Sequence, residues 1–247
     1  MADWNEPRPT QTGFGATPGA YGDVQARTTF DAGLRKHMLS IYNYMTSGVL
    51  LTGIVAMLAA SSGLAASMMG SPLMWLVILS PIAIVFAMSF GANRFSKTTL
   101  QAMFWGFATL MGLSLSTIFL VYTGASIAAT FFATSAAFAG LSLFGYTTQK
   151  DLSGWGSFLI MGVVGLLVAM VINIFLQSPA LMYAVSFIGV LIFAGLTAYD
   201  TQRLKEQYQH LRGTEFAGKA VVLGALTLYL DFINMFQFLL AFMGSRE

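Results

Sequence analysis

Two aspartates stand where acidic side chains are costly. Asp231 lies within LTLYLDFINMF, Leu226–Phe236, at the middle of an apolar window that runs from Ala220 to Gly244. On insertion scales a carboxylate at the centre of a spanning helix costs roughly 2.5–3.5 kcal/mol. A side chain kept there can take up a proton or hold a cation, and an intramembrane acid is a functional residue by default. Gly224, Thr227, Asp231 and Asn234 follow one another at helical spacing and share one face. Thr227 and Asn234 thus continue a narrow polar stripe through Asp231, which must face protein or water rather than lipid. Ser114, Ser116, Thr117 and Asn173 are further polar groups inside apolar windows, able to reach the same interior or simply to bond between helices. Asp200, in LTAYDTQRLK, closes another apolar window. Arg94, in GANRFSK at the end of a different window, is its natural counter-ion.

Those residues need a membrane-spanning scaffold, and the composition supplies one. Of 247 residues, 56% are hydrophobic and only 9% charged, where a soluble domain carries roughly 25% charge. Seven apolar windows near the spanning length of about 20 residues cover about 41–63, 72–92, 100–122, 124–146, 156–176, 180–200 and 219–243. The expected fold is an all-α, polytopic membrane bundle of seven transmembrane helices. The polar stretch from Asp200 to Lys219 reads as the link between the last two. Small residues at Ala133, Ala136, Ala137 and Gly140, and at Gly162 and Gly165, read as helix-packing positions. Residues 1–28, polar and rich in Gly, Pro and Thr, read as a disordered tail without a signal-peptide core. Residues 29–247 form the transmembrane domain.

Charge sets an orientation. Arg8, Arg27, Arg35, Lys36, Arg94, Lys97, Lys150, Arg203, Lys205, Arg212 and Lys219 fall on one side of the seven windows, and only Arg246 on the other. The positive-inside rule places the first side in the cytoplasm, with the N-terminus inside and the C-terminus outside. The net charge of +2 comes from these short clusters and does not point to nucleic acid. Cysteine is absent, so disulfides and thiolate chemistry are excluded. His37 and His210 lie in polar segments, which leaves a histidine metal site without ligands. On linear depth alone the two aspartates do not obviously meet. Asp231 lies twelve residues past Lys219, whereas Asp200 is three before Arg203.

Four ordered segments bring a family into view: GLSLSTIFLVYT, FGYTTQKDLSGWGSFL, IGVLIFAGLTAYDTQRLK and GALTLYLDFINMF. Together they resemble the bacterial branch of the Bax inhibitor-1 family of seven-span membrane proteins, over about residues 30–245. The resemblance implies a central seventh helix wrapped by the other six, in the bacterial cytoplasmic (inner) membrane. It also implies that Asp200 and Asp231 approach each other and act as a pH-sensitive latch on a calcium leak, with Arg94 paired to Asp200 in the closed form. Two carboxylates in a desolvated site cannot both ionise cheaply, so such a pair shares a proton and titrates as a unit. Calcium takes six to eight oxygens and two aspartates give at most four. Thr227, Asn234, carbonyls or water would have to complete a weak, transient site. No tightly bound cofactor is expected.

Two other readings stand beside the leak. Some bacterial relatives are implicated as binding partners of membrane-bound quality-control proteases; on that reading the chain is a non-conducting regulator and its aspartates are structural. Intramembrane aspartyl proteases also carry paired aspartates, and Tyr199–Asp200 fits one half of their signature. The Gly-x-Gly before the second acid is missing, since Leu228, Tyr229 and Leu230 precede Asp231, and Pro179–Leu181 stands on the wrong side of the sixth window. No enzymatic activity is expected.

Overall fold

A computed structural model describes residues 18–246, with side chains from residue 32 onward. Among these residues seven helices are long and apolar enough to cross a membrane, so the chain is an integral membrane protein. In chain order the helices are α1 Pro18–Ser61, a short α2 Leu64–Met68, α3 Pro72–Gly91, α4 Lys97–Leu115, α5 Gly124–Thr147, α6 Ser153–Leu176, α7 Pro179–Leu211 and α8 Ala217–Met243. A 3₁₀ stretch, Ser116–Leu120, extends α4. The chain divides between Lys36 and His37 into two units. The described part of the first is helical from Pro18; the bundle belongs to the second. Of the expected disordered tail, residues 1–17 lie outside the described residues. Residues 18–28 are helical instead, opened by Pro18, whose missing N–H is no loss in a first turn.

Helices are the form expected inside lipid, because each backbone group must be satisfied within its own segment. Their ends follow local chemistry. Ser96, Thr123 and Ser178 cap α4, α5 and α7, accepting from the N–H groups of Thr99, Ser126 and Leu181. Between α6 and α7, Gln177 adopts a left-handed conformation (φ 49°). Asn173 Oδ1 accepts from Ser178 N at 3.0 Å and braces the turn.

The sixth span, α7, extends further than its hydropathy indicates. The polar run after Asp200 was expected to be a link, yet α7 continues through it to Leu211. LKEQYQHL is rich in good helix formers and needs no lipid to stay helical. Similarly the first spanning stretch begins at Ala32 and includes His37, which is buried against the ring of Tyr208 rather than lying outside the bundle.

α8 is the core helix. Half of its most apolar stretch is buried (50%), against 11% for α6. Tyr229 on α8 is wholly enclosed, with the edges of Phe104 and Phe107 from α4 against it. Its hydroxyl meets Thr52 Oγ1 of α1 at 2.6 Å, and Thr52 in turn donates to Ala108 O of α4. Phe232 packs on Phe131 and Phe138 of α5. α3 packs on α4 and α6 on α7, while α4, α5 and α7 pack on α8, and α1 meets it at Thr52–Tyr229 and at Ile41 beside Gly224.

The small residues of α5 do not serve as expected. Ala133, Ala136, Ala137 and Gly140 are exposed, and α5 packs through Thr130, Thr134, Phe138, Ser142 and Gly145. Gly162 does admit a neighbour, Ile192, whereas Gly165 faces open space. The closest backbone approach is at Gly145, where a Cβ would stand 2.2 Å from Ala198 O. Gly145→Ala is therefore expected to destabilise the bundle by about 1–3 kcal/mol through overpacking, while Gly165→Ala is neutral or slightly stabilising. Thermal unfolding of both variants in detergent checks this contrast.

Candidate functional site

The overrun of α7 resolves the depth of the two acids. Asp200 stands eleven residues before the end of α7 and Asp231 fourteen after the start of α8. Those offsets are roughly 16 and 21 Å along antiparallel helices, so the side chains reach similar depths. Their carboxyl groups lie within hydrogen-bonding reach of each other. Both residues are buried, at 7% and 4% exposure. Asp231 Oδ2 is fully enclosed and receives no bond from an N–H or hydroxyl among the described residues. The Asp200 carboxyl is the neighbour in reach, and it can serve only if one of the two acids carries a proton.

Asp200 opens onto a basin of about 390 Å³ between the ends of α7 and α8. Arg203, Gln207, His210 and Thr227 line it together with apolar side chains. Asp231 lies behind this wall. Thr227 contributes its side chain to the basin, its hydroxyl donating to Leu223 O. Asn234, expected in the same stripe, donates to Leu230 O and lines a different cavity. Ser116 and Thr117 bond back to Leu113 O and Ser114 O and stay within their own turn.

The counter-ion differs from the one expected. Arg94 is exposed in the turn after α3 and forms no ion pair among the described residues. Arg203 Nη1 lies 3.9 Å from Asp200 Oδ1 instead. It stands one turn further along the same helix and needs no second helix to deliver it. The spacing in DTQR, three residues apart, carries that signal in the sequence.

Neighbouring contacts fix α7 around Asp200. The side chain of Gln202 donates to Lys150 O and accepts from Leu152 N, both at 2.8 Å, tying the α5–α6 loop to α7. Lys205 Nζ donates to Tyr146 O at 2.8 Å. Thr201 meets Ser142, which also meets Tyr42 of α1. The motif TTQKDLSG thus acts as a strap on the acid-bearing helix, a role that residue type alone does not disclose.

The donor set suits a hard cation only loosely. No group of three or more His, Cys, Asp or Glu side chains converges among the described residues. Two carboxylates and the Thr227 oxygen fall short of the six to eight oxygens calcium takes, and Arg203 opposes a cation at Asp200.

The family model described as "Inhibitor of apoptosis-promoting Bax1" matches residues 34–247. An uncharacterized protein of Caulobacter vibrioides is 46% identical, covering 90% of this chain and 94% of its own length. The inner membrane protein YbhL of Escherichia coli K12 is 45% identical, with 87% and 94% covered. An uncharacterized membrane protein of Streptococcus pyogenes is 34% identical, with 89% and 97% covered.

Asp231→Asn retains the side-chain shape and supplies an N–H where the acid pair needs a proton. Its stability at low pH is expected within about 1 kcal/mol of the native chain. The native bundle should weaken as pH rises and the shared proton is lost, and the variant should not. Thermal unfolding in detergent between acid and alkaline pH tests both parts.

Proposed function

We propose, starting from the fact that the chain belongs to the Bax inhibitor-1 family, that it is a pH-sensitive cation leak whose gate is the Asp200–Asp231 pair, with calcium as the cargo. One observation carries this reading: two buried carboxyl groups face each other inside the bundle, and Asp231 Oδ2 has no N–H or hydroxyl donor among the described residues. While a proton is shared, the pair bonds α7 to α8. Once that proton leaves, like charges oppose each other in a poorly hydrated site. The contact loosens, and the same oxygens become available to a cation arriving through the basin. A site with so few ligands binds weakly, which suits conduction because the ion must also leave.

The basin end of the bundle carries Arg203, Lys205, Arg212 and Lys219. By the positive-inside rule it faces the cytoplasm, which puts the N-terminus inside and the C-terminus outside. The inner-membrane name of the Escherichia coli relative supports the bacterial cytoplasmic membrane as the location. Arg203 holds a positive charge beside Asp200 and favours the ionised, loosened state.

The test is calcium flux into liposomes that contain this protein alone. Flux should rise as pH rises through the titration of the pair. Asp200→Asn and Asp231→Asn should each flatten that response. No flux at any pH from a folded, reconstituted chain overturns the reading. Charge beside the pair should set the midpoint: Arg203→Gln is expected to move it to higher pH by under about one unit, as fits a half-exposed ion pair, and Arg94→Gln to leave it in place. A midpoint that follows Arg94 and ignores Arg203 would show that the gating ion pair is the interhelical one.

A further inference from the structure

On the side of Asp231 away from the basin lies a second cavity of about 370 Å³, bounded by α6, α7 and α8. Asn173, Ser186, Asn234 and Gln237 line it among methionine, isoleucine, valine and phenylalanine side chains. Ser186 donates to Met182 O and Asn234 to Leu230 O within their own helices, and Asn173 accepts from Ser178 N in the α6–α7 turn. The Gln237 side chain forms no hydrogen bond among the described residues. Acyl chains filling this space would leave amide groups without partners, at a cost of a few kcal/mol for each lost bond. Water can bond to several of them at once, and the cavity is far larger than one molecule requires.

The cavity continues the polar face of α8. Thr227 looks into the basin, Asp231 stands behind it, and Asn234 and Gln237 come next along the helix. On α7, Phe193 lies midway between Asp200 on the basin and Ser186 on the second cavity. Its ring stacks on Phe238 of α8, centroids 5.8 Å apart and planes 26° from parallel. Gly189 makes room for this: a Cβ there would lie 2.5 Å from the Phe238 ring. Along α7 and α8, one acid pair and one ring pair thus lie between the two cavities.

We infer that the α6–α7–α8 cavity is the outer, hydrated half of a cation path, lined by the Asn173, Asn234 and Gln237 amides, and that Phe193 and Phe238 form its hydrophobic barrier toward the aspartates. This rests on the leak proposed above. Uncharged amide oxygens offer a cation ligands without trapping it, and stacked rings resist wetting until the helices part. The absence of cysteine from the chain makes the path open to direct labelling.

The experiment uses the full chain in sealed vesicles with a positively charged, membrane-impermeant thiol reagent. Gln237→Cys and Gln207→Cys should both be labelled, from opposite faces, because Gln207 lines the basin. Val171→Cys, on the exposed face of α6, should remain unlabelled. Labelling Gln237→Cys should cut calcium flux about tenfold by placing a fixed positive charge in the path. Asn173→Cys repeats the test from another helix should the first variant fold poorly. Phe193→Ala should raise flux at acid pH, where the native chain is closed. If the native chain conducts but neither cysteine is labelled, or labelling leaves flux unchanged, this cavity is not on the path and the aspartate gate stands without it. If the native chain does not conduct at all, both fall together.

Discussion

A buried acid that finds no N–H or hydroxyl donor is the constraint around which this bundle is arranged. Asp231 Oδ2 is closed off from water and from every such donor among the described residues. An ionised carboxylate so placed is far too costly to keep unpaired. The second acid therefore becomes the means of tolerating the first. Asp200 lies within reach, and a single proton between them satisfies both groups. Basic side chains do not perform that role: Arg203 is held 3.9 Å from Asp200, on the basin side, and is half exposed.

Such a contact is useful only if both helices are held in register, and each is held by a different device. α7 is strapped from the side by Gln202 and Lys205 to the end of α5 and the loop after it. α8 is fixed from within by Tyr229, whose hydroxyl reaches Thr52 while aromatic edges close round its ring. Gly145 lets the backbones of α5 and α7 come together beside the strap. Sequence features far from either acid thus set the distance between them. In a membrane, where apolar burial does not drive helices together, such packing and hydrogen bonds carry the association.

Much of this was legible in the sequence, because lipid imposes a coarse rule. Seven apolar windows became seven helices with bounds shifted by a few residues, except where a polar helix outran its apolar part. The tail of α7 is the instructive case. Hydropathy ends at Asp200, but helix propensity does not, and the depth of Asp200 follows from the second property. The spacing around Asp231 puts Thr227 and Asn234 on one helix face, yet could not tell that they look into different cavities. The choice between Arg94 and Arg203 required knowing which helices adjoin. The alanines of α5 failed as packing positions for a related reason: small residues permit close approach, and only the neighbouring surface decides whether it happens.

Stability alone does not account for an acid pair here. Replacing a buried polar pair by apolar side chains of similar size is often neutral or stabilising, and in lipid the insertion cost adds to that argument. What two carboxyl groups provide, and two leucines cannot, is a helix contact whose strength depends on a proton. The surroundings suit that use. One acid opens on a basin with a cation at its wall. The other is sealed among the residues that position α8, so a change of charge there is felt by the helix at the centre of the bundle.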